Sequence, residues 1–228
     1  MTWGPTTLTM SNMPAWTYSQ LEAFETCPRK FYHLKVLRDI VEPPSPHAEW
    51  GTKVHSAFEY RIKDGTPLPE GMTQWSPIAD KIARLSGEKH CEMKMALDKN
   101  FQPTDWKKAW SRGIADLTVV NGTKAATLDY KTGKRKPTEQ LQLYAAYTFA
   151  YYPQVEQVTT MFVWLKERKV DKEVIVRDQL PDIWNSMLPR VRKLEAAHES
   201  NRWPERPSGL CKAWCPVTSC KFNGQKGK

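Results

Sequence analysis

Two carboxylates and an ammonium, Asp116, Asp129 and Lys131, fall on two runs, Gly113 to Val120 and Leu128 to Gly133, that flank the pair Asn121-Gly122. An Asn-Gly pair between such runs is the strongest short-range signal for a β-hairpin. With a two-residue loop centred on that pair, Val120 faces Thr123 and Asp116 faces Thr127. Side chains alternate along a strand, so Thr127, Asp129 and Lys131 share one face. Asp116 is then a diagonal neighbour of Asp129, roughly 7–8 Å away at the backbone. Two carboxylates so close beside a core are costly unless a cation and a charged substrate occupy the site. The spacing points to a divalent metal. For an Asp-x-Lys taken alone, the solvated face of an ordinary hairpin is the competing interpretation.

The elements that must hold these groups are legible around them. Trp50, Val54, Ala57, Phe58 and Ile62 recur at helical spacing, predicting an amphipathic helix with His55 and Glu59 beside its apolar stripe. His90 to Leu97 alternates as a half-buried strand, with Cys91, Met93 and Met95 on one face and Glu92, Lys94 and Ala96 on the other. Glu92 is a further carboxylate candidate. After the hairpin, Lys134, Arg135 and Lys136 form a basic turn suited to a phosphate backbone. A helix from Thr138 to about Ala150 turns Leu141, Tyr144, Ala145 and Phe149 inward and sets Gln140 and Tyr144 one turn apart. Val155 to Leu165 and Lys169 to Arg177 read as strands, and Leu180 to Ala197 as a helix. Another helix falls around Ile78 to Leu85. Nearer the N-terminus, Ser19-x-x-Glu22 predicts a capping box, and Pro28 the first turn of a second short helix.

The chain has 228 residues, enough for one sizeable core, here expected over 17–200 after a flexible leader, 1–16. Its 34 Lys and Arg against 25 Asp and Glu give a net charge of +9, which suits a polyanion partner. Ten Trp and eight Tyr are many, and serve as core or as stacking platforms for unpaired bases. No apolar run reaches the length of a membrane span and no signal peptide is visible, so a cytoplasmic protein without a membrane partner is expected. Five cysteines argue against a disulfide framework. Three of them, Cys211, Cys215 and Cys220, cluster in a Pro-rich tail, 201–228, and point to a metal or cluster whose fourth ligand is Cys27. Cys91 reads as a small core hydrophobe.

Gly-x-x-Asp, then Asp-Tyr-Lys-Thr-Gly, then Gln140-x-x-x-Tyr144, with Gly51-Thr52-Lys53-Val54-His55 upstream, resembles the PD-(D/E)xK nucleases of the RecB-like branch. The resemblance runs from about Thr17 to Cys220. Together with Cys27, the tail is similar to the iron–sulfur exonucleases of that branch, including the CRISPR-associated ones. It implies an α/β fold: a restriction-endonuclease-like core with a central mixed β-sheet flanked by helices, and a Cys-rich appendage joining the N- and C-terminal segments. It further implies a Mg2+- or Mn2+-dependent deoxyribonuclease, an exonuclease acting on DNA with free ends in recombination, repair or genome processing. His55, Asp116, Asp129 and the Tyr130 carbonyl would ligate the ion, and Lys131 would orient the attacking hydroxide. Gln140, Tyr144 and Lys134-Arg135-Lys136 would position the strand. The cysteines would hold a [4Fe-4S] cluster; the Cys-x3-Cys-x4-Cys spacing leaves structural Zn2+ as the alternative. With no motor motif in the chain, a stand-alone enzyme or one recruited by a recombination or helicase partner is expected, in an oligomeric state the sequence leaves open. Two rival classes are a catalytically inactive nucleic-acid-binding subunit and a metal-stabilised interaction module.

Overall fold

The computed structural model describes residues 13–43, 45–135 and 139–225. Most of the expected leader, the start of the helix expected from Thr138, and Lys136 lie outside them. In chain order the elements are α1 (Tyr18–Thr26), α2 (Pro28–Phe31), α3 (Pro46–Asp64), α4 (Ser76–Ala83), β1 (Glu88–Leu97), β2 (Ser111–Asn121), β3 (Lys124–Lys131), α5 (Gln140–Tyr151), β4 (Gln157–Trp164), β5 (Lys169–Val176) and α6 (Leu180–Ser200). They divide into two compact units, Pro43–Asn185 and Met1–Glu42 with Ser186–Lys228, with one boundary inside α6.

The larger unit is an α/β fold on a five-stranded mixed sheet in the order β1-β2-β3-β4-β5. All neighbours run antiparallel except β3 and β4, whose parallel pairing requires the crossover supplied by α5. Val54, Ala57 and Phe58 of α3 and Ile82 of α4 pack on one sheet face, against Leu117, Val119, Leu128, Tyr130 and Val163. Complete burial of a side chain such as Phe58 contributes about 1.5–3 kcal/mol. The other face meets α5, where Thr127 and Thr148 join hydroxyls at 3.0 Å and Leu141 packs on Phe162 and Trp164. Trp184, at the start of α6, stacks on Phe101.

Three local expectations are corrected. The capping box of α1 is Thr17 with Gln20, not Ser19 with Glu22, because Thr17 is the extended residue whose Oγ1 accepts from the Gln20 N–H. The hairpin loop is Gly122-Thr123 and Asn121 pairs with Lys124. Gly122, at φ +58°, takes the first central position, as a type II′ turn requires. The register therefore moves by two residues, and Asp116 stands level with Asp129 rather than with Thr127. A two-residue move preserves the parity, so the two carboxylates remain neighbours. The expected shared face is not kept: Leu117 packs on the α3 side and Gly113 against Tyr147 of α5, and Asp116 turns to His55 while Asp129 turns to Tyr144. The third correction concerns β1, which does not alternate throughout. Glu92 has φ +50°, and across it the pleat inverts. Cys91 packs towards the α3 side, whereas the Met93 sulfur accepts from the Tyr152 hydroxyl at the end of α5.

In the other unit, Cys27 caps α2, whose first residue is Pro28, and a π-helical turn, Tyr32–Leu37, follows. Phe24, Phe31, Tyr32, His198 and Trp203 form an aromatic cluster. Arg190 holds Glu25 through two bonds of 2.6 and 2.7 Å. That bidentate geometry ties α1 to the C-terminal part of α6.

Candidate active site

The ladder between β2 and β3 ends at Leu117–Leu128, so beyond it the two strands part and leave backbone groups to be satisfied otherwise. Side chains fill the gap. Asp116 Oδ2 accepts the Tyr130 N–H at 2.5 Å, and the Tyr144 hydroxyl reaches the Ile114 carbonyl at 3.0 Å. Opposite Asp116 on β1 lies Glu92, where the inverted pleat aims its carboxylate at the same point. A left-handed conformation in a non-glycine strand residue costs of order 1–3 kcal/mol and is found where function requires it.

From α3, the buried pair Val54 and Phe58 leaves His55 half-buried at the edge of the seam. His55 Nδ1 lies 3.1 Å from Asp116 Oδ1, and Nε2 lies 2.9 Å from the Tyr130 carbonyl oxygen. Ligand atoms of His55, Glu92 and Asp116 all lie within 4.8 Å of one another. Burial alone would lower the His55 pKa. The hydrogen bond to Asp116, then the charges of Asp116, Asp129 and Glu92, outweigh it and raise the pKa above its ordinary value. Burial, then the Asp116 charge, raises the pKa of Glu92. The Asp116, Asp129 and Glu92 charges thus all favour a cation at this point.

Asp129 is buried at 4% exposure. Burial and the Asp116 charge push its pKa up to about 6, against the opposing pull of Lys131 and Tyr144. Its Oδ2 lies 2.6 Å from Lys131 Nζ, an ion pair without the alignment of a hydrogen bond. Its Oδ1 accepts from the Tyr144 hydroxyl at 2.9 Å. That hydroxyl has one proton for Asp129 and the Ile114 carbonyl, and the charge-assisted bond is the stronger. Gln140 closes the ring, donating from Nε2 to Tyr144 Oη at 2.8 Å and accepting from Lys131 Nζ at 3.3 Å. The Lys131 ammonium also sits 4.8 Å from the centre of the Phe162 ring. Gln140 and Tyr144 therefore hold Asp129 and Lys131 in place, a role that their helical spacing alone does not reveal.

The basic turn is divided. Lys134 is exposed, whereas Arg135 is committed to Asp171 through a Nε bond of 2.8 Å. Lys136 lies outside the described residues.

In the other unit the four predicted cysteines come together, with Cys27, Cys211, Cys215 and Cys220 lining one cavity beside Arg29 and Lys30. Backbone N–H groups of Lys30 and Ser208 point at the sulfurs of Cys27 and Cys211, each at 3.5 Å. Buried Asn223 braces the loop by donating to the carbonyls of Cys215 and Val217 at 2.8 and 2.9 Å. Four thiols around one cavity, two of them with amide donors on the sulfur, offer the donor type of a thiolate-bound metal.

Residues 15–220 match the family model described as the PD-(D/E)XK nuclease superfamily. Among solved structures, a protein of Eubacterium rectale described as a candidate exonuclease aligns with a TM-score of 0.50 at 12% identity, covering 95% of this chain and 100% of its own. A second, SSO0001, aligns with a TM-score of 0.48 at 15% identity, covering 95% of this chain and 90% of its own. No curated protein matches.

Proposed function

The chain belongs to the PD-(D/E)XK nuclease superfamily, and on that premise we propose that it is a Mg2+- or Mn2+-dependent deoxyribonuclease, an exonuclease acting on linear DNA with free ends. One observation carries the proposal: ligand atoms of His55, Glu92 and Asp116 converge within 4.8 Å, beside buried Asp129 and its ion pair with Lys131. Hard oxygen donors with one imidazole suit these ions. His55, Asp116, Asp129, Glu92 and the free lone pair of the Tyr130 carbonyl would hold the ion. When bound, the metal supplies a lowered pKa for water and charge neutralisation at the scissile phosphate. The chain's own residues do the rest. Tyr130 N–H fixes Asp116, Tyr144 fixes Asp129, and Lys131 orients the attacking water and balances negative charge on the phosphate in the transition state. His55 ligates only as the neutral imidazole, and the neighbouring carboxylates favour its protonated form, so metal affinity rises with pH. Lys134 and Arg135 flank the strand, Arg135 by exchanging Asp171 for phosphate. Gln140 and Tyr144 bear on the substrate through the two residues they hold.

We further propose that the four cysteines place the chain in the RecB-like iron–sulfur branch and hold a [4Fe-4S] cluster of structural role, with Zn2+ as the alternative. The 201–228 tail would then complete a site with Cys27, beside a nuclease core at 17–200. No helix among the described residues is long and apolar enough to cross a membrane. A cytoplasmic enzyme recruited by a recombination or helicase partner fits these features.

The test is degradation of end-labelled linear DNA, with a circular control, by anaerobically purified protein in Mg2+ or Mn2+. Iron, sulfide and zinc are assayed in the same preparation. Metal-dependent loss of linear DNA alone is expected. Binding without cleavage on every substrate would leave the inactive binding subunit, and salt-insensitive, weak binding the interaction module.

A further inference from the structure

Beyond the carboxylates, β1 and β2 carry a layer of different character. Lys94, two residues from Glu92, is exposed, and its register partner Ile114 exposes a large apolar side chain to 40%. Trp106, from the loop between these strands, lies near two cations. Lys94 Nζ is 5.9 Å and Arg112 Cζ 5.1 Å from its ring centre. Among the described residues neither cation has a carboxylate partner, and Arg112 Nε is buried without a hydrogen bond.

The pleat decides which way this layer faces. Met93 turns to Tyr152, and the α-carbon of Gly113 lies against the Tyr147 ring, where a Cβ would come within 2.8 Å. Lys94, Arg112 and Ile114 therefore face the opposite side, the one on which α3 and His55 stand. At the rise of a strand, Lys94 lies about 7 Å from Glu92 and Arg112 about 13 Å from Asp116.

Cations without acid partners, a planar ring and an exposed apolar side chain suit unpaired nucleotides, whose phosphates need neutralising and whose base faces are bare. A base can stack on the guanidinium plane, or displace Lys94, the more distant cation, from the ring. In a duplex those base faces are hidden. We infer that Lys94, Trp106, Arg112 and Ile114 form a subsite for unpaired nucleotides next to the scissile bond, so that the substrate strand is single-stranded or frayed from a duplex end. This rests on the nuclease reading above.

The experiment compares variants in an Asp129→Asn background. Fluorescence anisotropy follows a labelled oligothymidylate and a blunt hairpin duplex across a salt series, with thermal melts to establish folding. Trp106→Ala is expected to weaken single-strand binding about 5- to 100-fold and to leave duplex binding within about twofold, and Trp106→Phe to restore most of the loss. Lys94→Gln, at an exposed position, should reduce the salt slope by about one. Single-strand binding unchanged in both Trp106→Ala and Lys94→Gln, or equal losses on both ligands, would overturn the subsite. If the wild type cuts DNA while the variants bind normally, the subsite alone fails. If the wild type cuts nothing yet binds single strands through Trp106, the nuclease reading fails and the subsite stands.

Discussion

Replacing Tyr144 by Phe removes one hydroxyl from a buried ring and leaves the packing intact. The lost bond, 2.9 Å long to Asp129 Oδ1, favours the charged form of a carboxylate whose pKa already stands at about 6. A hydrogen bond to a charged group contributes about 1.5–3 kcal/mol, so its removal should raise the Asp129 pKa by about one to two units. Metal binding needs the ionised form. At pH 6 about half of the wild-type carboxylate is ionised, against about 1–9% in the variant, so apparent Mn2+ affinity and single-turnover cleavage should fall about 5- to 50-fold. At pH 8.5 the loss should be under about twofold. Calorimetric Mn2+ titrations and cleavage rates at both pH values measure this. An equal loss at both, or none at pH 6, would refute the assignment of Tyr144 as the group that keeps Asp129 charged.

Other consequences follow from single positions. Glu92→Gly relieves the left-handed strain at φ +50°, and should stabilise the metal-free protein by about 1 kcal/mol in urea unfolding while weakening metal binding. Gly113→Ala drives a methyl to 2.8 Å from the buried Tyr147 ring and should cost about 1–3 kcal/mol in the same measurement. The Asp129 pKa is raised above its unfolded value, so its protonation stabilises the folded state fully below about pH 4, and that contribution is lost as pH rises through about 6. In EDTA, wild type should therefore lose stability relative to Asp129→Asn across that window, by up to about 3 kcal/mol, as read from paired melts.

Much of the site is visible in residue spacing because periodicity survives small errors. The loop expected at Asn121-Gly122 and the one found at Gly122-Thr123 differ by two residues in register, and a strand repeats its faces every two. Asp116 and Asp129 therefore stay neighbours in either arrangement, level rather than diagonal, although Asp116 turns to His55 of α3 and Asp129 to Tyr144 of α5. Along α3 the apolar stripe through Val54 and Phe58 fixes where His55 emerges. Glu92 is harder, because a positive φ follows from the seam between strands and not from the residue, glutamate having no preference for that region. The inverted pleat hides the rest: which face Met93 takes, and that Lys94 and Arg112 meet Trp106. Tyr144 is recognisable as an inward residue of α5, but only the parting of β2 and β3 brings its hydroxyl to Asp129.

The most direct test of the central claim is Lys131→Met, measured for both Mn2+ binding and single-turnover cleavage of linear DNA. The ammonium, proposed above to orient the attacking water, also pairs with Asp129 Oδ2 at 2.6 Å. Its removal should leave Mn2+ affinity at pH 8.5 within about tenfold of wild type, because Lys131 is itself no ligand to the ion and alkaline pH favours the ionised carboxylate. Cleavage should be slower by about 10²–10³-fold, as for loss of one charge-stabilising donor. A variant that binds Mn2+ and cuts DNA at the wild-type rate would contradict the assignment of this site to the reaction.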